Sequence, residues 1–180
     1  MTRRYNRRRF LDTVVGAAAC ALPVVIPATA RGRAGRIAPS ERIHVGCIGV
    51  GTMGTADMRA MLSLPDAQVV AVCDVNRTRR DQAKLLVDTH YQDTNCAAYN
   101  DFRELLDRPD VDAVNIASLD SWHVLHALAA VRAGKDVYVE KPLGMSIQEI
   151  KVLRDAVHRY GRVFQFGTQQ RSSQEFRRAC

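Results

Sequence analysis

A chain of 180 residues, 47% of them apolar, fits one ordinary domain and carries enough apolar surface to bury a core. Its net charge of +7 does not signal a nucleic-acid partner, because the excess sits at one end. Residues 1–30 carry five arginines against the single acid Asp12, residues 31–40 add Arg31, Arg33 and Arg36, and residues 41–180 hold 18 basic and 18 acidic side chains. A body with no net charge leaves no electrostatic footprint for nucleic acid.

The basic end, residues 1–30, reads as an export signal. Its arginines precede the apolar stretch 14–26, and the small residues Ala28 and Ala30 suit cleavage after Ala30. The string Asn6-Arg7-Arg8-Arg9-Phe10-Leu11 resembles a twin-arginine signal. That implies the twin-arginine export machinery as a partner and a periplasmic or exported location. The apolar stretch is about thirteen residues long and contains Pro23, too short to cross a ~30 Å hydrocarbon layer as a helix. The rival readings are an uncleaved anchor and a chance basic arm. Twin-arginine export carries folded proteins, often with cofactor bound, which suits a nucleotide-dependent protein. Residues 31–40 have linker composition and are expected to lack order.

From residue 41 onward, predicted strands and helices alternate. Ile43–Ile48 is a buried strand, followed directly by Gly49-Val50-Gly51-Thr52-Met53-Gly54 and a helix over 55–64 stopped by Pro65. Asp74 closes the next strand, 69–73, twenty residues past Gly54. A G-x-G-x-x-G between a strand and a helix, with an acid at this distance, is the dinucleotide-binding fingerprint in its physical context. Gly49 permits the tight turn, Gly51 lets a pyrophosphate approach the backbone, and Gly54 lets helix and sheet pack closely. The phosphates then lie at the helix N-terminus, where free N–H groups and the dipole favour an anion.

A helix over 77–89 follows, with apolar Ala83, Leu85, Leu86 and Val87 among charges. Next come a short strand Ala97–Tyr99 and a helix over 101–106 capped by Asn100 or Asp101. A strand over 113–117, a helix over 122–133 ended by Gly134 and a strand over 137–139 come next. Ser146 with Glu149 forms a capping box for a helix running to about Tyr160, which Gly161 stops before a last strand over 163–166. Six apolar strands alternating with helices predict an α/β fold, a doubly wound parallel sheet of Rossmann NAD(P)-binding type covered on both faces. Cys20 falls in the signal, Cys47 and Cys73 in neighbouring strands, Cys96 in a connection, and Cys180 is last. An exported protein could form a disulfide, but strand cysteines are more often small buried apolar side chains, and no metal-ligand spacing exists, so neither a structural disulfide nor a metal is expected.

Ligands in such sheets bind outside the carboxyl ends of the strands. The segments there are Ser118-Leu119-Asp120-Ser121-Trp122-His123 and Glu140-Lys141-Pro142. These segments accompany the glycine fingerprint and Asp74, the run Ala133-Gly134-Lys135-Asp136-Val137-Tyr138-Val139-Glu140-Lys141-Pro142-Leu143, and Gly167-Thr168-Gln169-Gln170-Arg171. Together they resemble the Gfo/Idh/MocA oxidoreductases, from residue 42 to 180.

The resemblance implies that Gly49, Val50, Gly51, Thr52, Met53 and Gly54 line the pyrophosphate and that Asp74 accepts from the adenosine ribose hydroxyls. A carboxylate there disfavours a 2′-phosphate and points to NAD, with NADP left open by the nearby Arg77. Ser118, His123 and Glu140 match positions near the cofactor. For His123, a cap or packing against Trp122 is the competing reading. Lys141 matches the family lysine beside the nicotinamide, where it can hydrogen-bond the substrate hydroxyl and stabilise the alkoxide; a solvated lysine before a turn proline is its plain alternative. The family commonly has Thr-Pro where Ser118-Leu119 stand, and often His at Ser121, which bears on the nicotinamide contacts.

The expected domains are thus a signal over 1–30, a linker over 31–40, a dinucleotide-binding domain over 41–167, and over 168–180 the start of a connection to a second, α+β substrate domain. Because the chain stops at Cys180 inside a helical pattern, that second domain is expected to be missing and the chain alone to be inactive. The leading function is NAD(P)-dependent hydride transfer on a sugar or polyol hydroxyl. The alternatives are a glycosidase or lyase that oxidises a sugar transiently with bound NAD, and a non-catalytic nucleotide-binding remnant. A methyltransferase is a weaker rival, disfavoured by Glu140-Lys141-Pro142. An oligomer is left open.

Overall fold

The computed structural model describes residues 37–179. The expected signal, residues 31–36 of the expected linker, Cys20 and Cys180 lie outside the described residues. At the end of the expected linker the backbone is regular, since Pro39–Glu41 forms a 3₁₀ turn.

Six strands run parallel in one sheet: β1 (Ile43–Ile48), β2 (Ala67–Cys73), β3 (Ala97–Tyr99), β4 (Ala113–Ile116), β5 (Asp136–Val139) and β6 (Phe164–Phe166). Their spatial order, β3-β2-β1-β4-β5-β6, is that of the doubly wound nucleotide-binding sheet, and it reverses direction between β1 and β4. The connecting helices are α1 (Thr52–Leu62), α2 (Arg77–Tyr91), α3 (Phe102–Leu106), α4 (His123–Arg132) and α5 (Ile147–Tyr160), with α6 (Gln174–Ala179) following β6.

Each face of the sheet has its own core. On one side Val45, Cys47, Val69 and Val72 pack under Met58 and Leu62 of α1 and under Ala83 and Val87 of α2. Leu85, expected among the apolar residues of that helix, is exposed, because it lies off the stripe that faces the sheet. On the other side Ile48, Ile116 and Val139 pack under Leu105 of α3, Val124 and Ala127 of α4, and Leu153 of α5.

The strands of the second half are not apolar on both faces. Cys47, Asn115, Tyr138 and Gln165 stand side by side across β1, β4, β5 and β6. Side chains alternate faces with a period of two, so one face of β4–β6 carries a polar row while its reverse carries Ile116, Val139 and Phe166.

The helix ends follow local chemistry. Asn76 caps α2 by accepting from Arg79 N at 3.2 Å, and Asp101, not Asn100, caps α3 by accepting from Arg103 N at 2.9 Å. Ser146 caps α5, accepting from Glu149 N at 3.2 Å, and Gly161 ends that helix in the left-handed region at φ 61°. Trp122, expected to open the helix, instead closes a separate 3₁₀ turn Asp120–Trp122, and α4 begins at His123.

Candidate cofactor site

The glycine turn at the end of β1 is built as the fingerprint requires. Gly49 has φ +82°, and a Cβ there would lie 2.6 Å from the Cα and N of Ser118, so both the backbone angle and the close approach of β4 demand glycine. A Cβ on Gly54 would fall on the Gly49 carbonyl oxygen. The helix opens earlier than the sequence pattern suggested, at Thr52, so Thr52, Met53 and Gly54 form its first turn. Gly51 is the N-cap and contributes no side-chain hydrogen bond. The first N–H groups of α1 therefore have no intrahelical partner.

Among the described residues a Cβ on Gly51 would meet only Arg79 Nη1, 3.6 Å away. An open backbone cradle, free N–H groups and an adjacent guanidinium together fit the diphosphate of a dinucleotide. Behind this turn, a cleft of about 280 Å³ is lined by Val50, Thr55, Arg59, Arg79, Gln82, Ala83 and Leu86. A larger depression of about 480 Å³ between the far ends of α1 and α2 contains none of the expected site residues.

Asp74 is 9% exposed and locks the turn to the second strand. Its Oδ2 accepts from Val50 N at 2.9 Å and its Oδ1 from Asn76 N at 2.8 Å. Each carboxylate oxygen offers about two acceptor positions, so one per oxygen is left for a ligand hydroxyl. Arg80 braces the same loop, donating from Nη1 to the Asp74 carbonyl at 2.6 Å and to Asn100 Oδ1 at 3.1 Å. Arg77, the arginine singled out from the sequence, instead faces Asp81 at 3.5 Å on the outer surface of α2. The arginine that reaches the turn is Arg79, and the only sequence hint of it is the basic run after β2.

Across the reversal point, Ser118 is half-buried beside Gly49, and Lys141 is exposed after β5. Two residues expected at the cofactor are set inward as supports. His123 is 1% exposed, with Nδ1 2.6 Å from the Pro142 carbonyl oxygen and Nε2 3.1 Å from that of Ser118. It ties the loop after β4 to the loop after β5 rather than presenting a ring nitrogen to the cleft, and it does not cap α4 through its side chain. Glu140 is 3% exposed and accepts from Tyr138 Oη at 3.0 Å, Gln169 Nε2 at 2.7 Å and Lys141 N at 3.3 Å. Its seat requires Gly167, where a Cβ would come 2.8 Å from Glu140 Oε1.

Sequence reasoning missed two further features. Ser118 Oγ lies 3.0 Å from Nδ1 of His126, a buried ring between Phe102 and Trp122. Burial chiefly, and then the nearby His123 and Arg103, hold His126 down to about 4. Asp57 of α1 lies beside the polar row of the sheet. Burial first, and then Glu140, push its carboxyl up to about 6, against a steadying effect of Asn115. Asn115 is 1% exposed, and among the described residues neither its amide atoms nor Asp57 Oδ2 has a hydrogen-bond partner of good geometry.

Cys47, Cys73 and Cys96 are buried free thiols, with burial pushing Cys96 up to about 11 and Cys73 up to about 12. Among the described residues no group of three or more His, Cys, Asp or Glu side chains is arranged to hold a metal ion.

The strand order, glycine turn and capped acid define a dinucleotide-binding domain of the doubly wound class. The sequence profile of the Gfo/Idh/MocA group, described as an oxidoreductase family with an NAD-binding Rossmann fold, matches residues 43–168, and the chain belongs to that family. A glycosyl hydrolase family 109 protein of Saccharopolyspora erythraea is 36% identical over 118 residues, covering 64% of this chain and 26% of that protein. An inositol 2-dehydrogenase of Azotobacter vinelandii is 34% identical over 137 residues, covering 75% of this chain and 39% of that one. The crystal structure of scyllo-inositol dehydrogenase from Lactobacillus casei with bound NAD(H) and scyllo-inositol superposes with a TM-score of 0.69 at 26% identity, covering 77% of this chain and 39% of that one. The chain thus spans roughly a quarter to two-fifths of the length of these relatives.

Proposed function

We propose that this chain binds NAD at the carboxyl edge of the sheet and serves hydride transfer to or from a sugar or polyol hydroxyl. The observation that carries the reading is the Asp74 carboxylate clamped onto Val50 N beside the open cradle over Gly51. Gly49 to Gly54 and Arg79 would hold the diphosphate, and Asp74 would accept from the adenosine ribose. Ser118 and Lys141 would face the nicotinamide half. Bound NAD supplies the hydride acceptor. The chain's own contribution at the reacting carbon is Lys141, whose free amine can accept a hydrogen bond from the substrate hydroxyl and take its proton as the hydride leaves, becoming the ammonium that holds the product oxygen. His123 and Glu140 keep the two loops that carry Ser118 and Lys141 in register.

Asp74 favours NAD over NADP because a carboxylate repels a 2′-phosphate. Calorimetric titration of the chain with both nucleotides tests the reading: tighter NAD binding is expected. Equal or tighter NADP binding overturns the selectivity, and binding of neither overturns the assignment.

A second reading, a glycosidase or lyase that uses bound NAD transiently, is supported by the likeness to glycosyl hydrolase family 109 proteins. Net NADH formation with a polyol favours the first. Glycoside cleavage at constant total NADH favours the second. We also assign residues 1–30 to twin-arginine export, on the strength of Arg7 and Arg8 before a short apolar stretch. Exchange of both for lysine should retain a reporter fusion in the cytoplasm.

A further inference from the structure

Ser118 stands just past β4 against the glycine turn, and among the described residues its hydroxyl has one partner, Nδ1 of His126 at 3.0 Å. The pair can be wired in two ways. Either the hydroxyl donates to a bare Nδ1 and turns its lone pairs outward, or Nδ1–H donates to the oxygen and the hydroxyl proton is free to point outward. The two wirings offer a ligand opposite chemistry: an acceptor suits a sugar hydroxyl, a donor suits a phosphate oxygen.

We propose that His126 is a positioning residue whose Nδ1 accepts the Ser118 hydroxyl proton, so that Ser118 accepts from a ribose hydroxyl of the bound dinucleotide. This rests on the dinucleotide-binding reading above. Three observations carry it. The ring is only 8% exposed and packs against Phe102, 4.4 Å away centre to centre, and Trp122, stacked at 5.4 Å with planes 29° apart, contacts that hold it with Nδ1 towards Ser118. Hydroxyl and imidazole N–H are comparable donors, but a bare imidazole nitrogen is a much better acceptor than a hydroxyl oxygen, so the first wiring is the one that uses the stronger acceptor of the pair. The charged and titratable groups that act on the ring are His123 of its own helix and Arg103 of α3. Both disfavour a second proton on it, as does burial, so the ring is neutral at neutral pH and keeps one bare nitrogen able to accept. The anionic diphosphate is left to the glycine turn and Arg79.

Imidazole ¹⁵N spectra of the full chain at pH 7, with the His126 resonances assigned through His126→Asn, read the wiring directly. A pyridine-type Nδ1 and a protonated Nε2 are expected, and a protonated Nδ1 overturns the proposal. The second readout is the NAD dissociation constant from calorimetry. Asn places an amide oxygen near the position of Nδ1, so His126→Asn should bind within about twofold of the parent chain, since the acceptor is kept. Ser118→Ala and His126→Phe should each bind about 2- to 12-fold more weakly, the worth of one hydrogen bond. Because the two act as a unit, the double variant should bind no more weakly than Ser118→Ala. If His126→Phe fails to fold by circular dichroism, Ser118→Ala and His126→Asn still decide. Parent-like binding by Ser118→Ala overturns the proposal while leaving NAD binding standing. A parent chain that does not bind NAD overturns both.

Discussion

Asp57 and His126 are titrating side chains held away from their ordinary ranges, and they pull stability in opposite directions over the same pH window. Asp57 is raised from 3.8 to about 6. Between those values the folded chain holds a proton that the unfolded chain has lost, so this group's contribution worsens as pH rises to 6 and stays unfavourable above. His126 is lowered from 6.5 to about 4. There the unfolded chain takes the proton first, so its contribution worsens as pH falls from 6.5 to 4. Asp57 is only partly buried, so solvent screening cuts its share. Asp57→Asn is expected to raise unfolding free energy at pH 7 by on the order of 1 kcal/mol in denaturant titrations. The gain should vanish by about pH 4, where the parent carboxyl is itself protonated. At the site, Lys141→Ala should lower kcat by ~10²–10⁴-fold in any form of the protein that turns over substrate. Lys141→Arg should not restore it, because a guanidinium does not give up its proton. Full activity in Lys141→Ala would remove the lysine from the chemistry.

The helices show how local signals and tertiary demands divide the work. In α5 the Ser146 side chain satisfies Glu149 N, while Glu149 Oε2 reaches past the cap residue to Met145 N at 3.1 Å. The reciprocal arm of the capping box therefore ties down the loop that follows Lys141 and Pro142. Ser146→Ala should cost ~1 kcal/mol, read as a lowered thermal midpoint, and should leave NAD affinity within twofold because α5 lies on the face away from the glycine turn. In α1 the helix begins three residues before its apolar pattern does. The turn into it is set by Gly49 meeting Ser118 and by Gly54 meeting the Gly49 carbonyl, contacts between segments that periodicity along one segment cannot register.

Across the whole molecule the sheet is graded from centre to edge. β1 lies between β2 and β4 and is paired along its length, whereas β3 and β6 are three-residue strands at the two edges. Native-state hydrogen exchange should show slowest exchange in β1, β2 and β4 and faster exchange in β3 and β6; uniform protection across all six strands would contradict that grading. The alternation of strand and helix, the glycine fingerprint with its acid, the cap at Ser146 and the stop at Gly161 were all legible in the sequence. Each rests on interactions between neighbours a few residues apart or on a backbone angle that one residue type permits. Side-chain orientation at the site was not legible. That His123 and Glu140 turn inward, that Arg79 rather than Arg77 reaches the turn, that His126 meets Ser118, and that β4–β6 carry a polar row all depend on which strands lie side by side and on which face each residue points. Those are properties of the parallel register, which brings together residues tens of positions apart, and only the tertiary structure decides them.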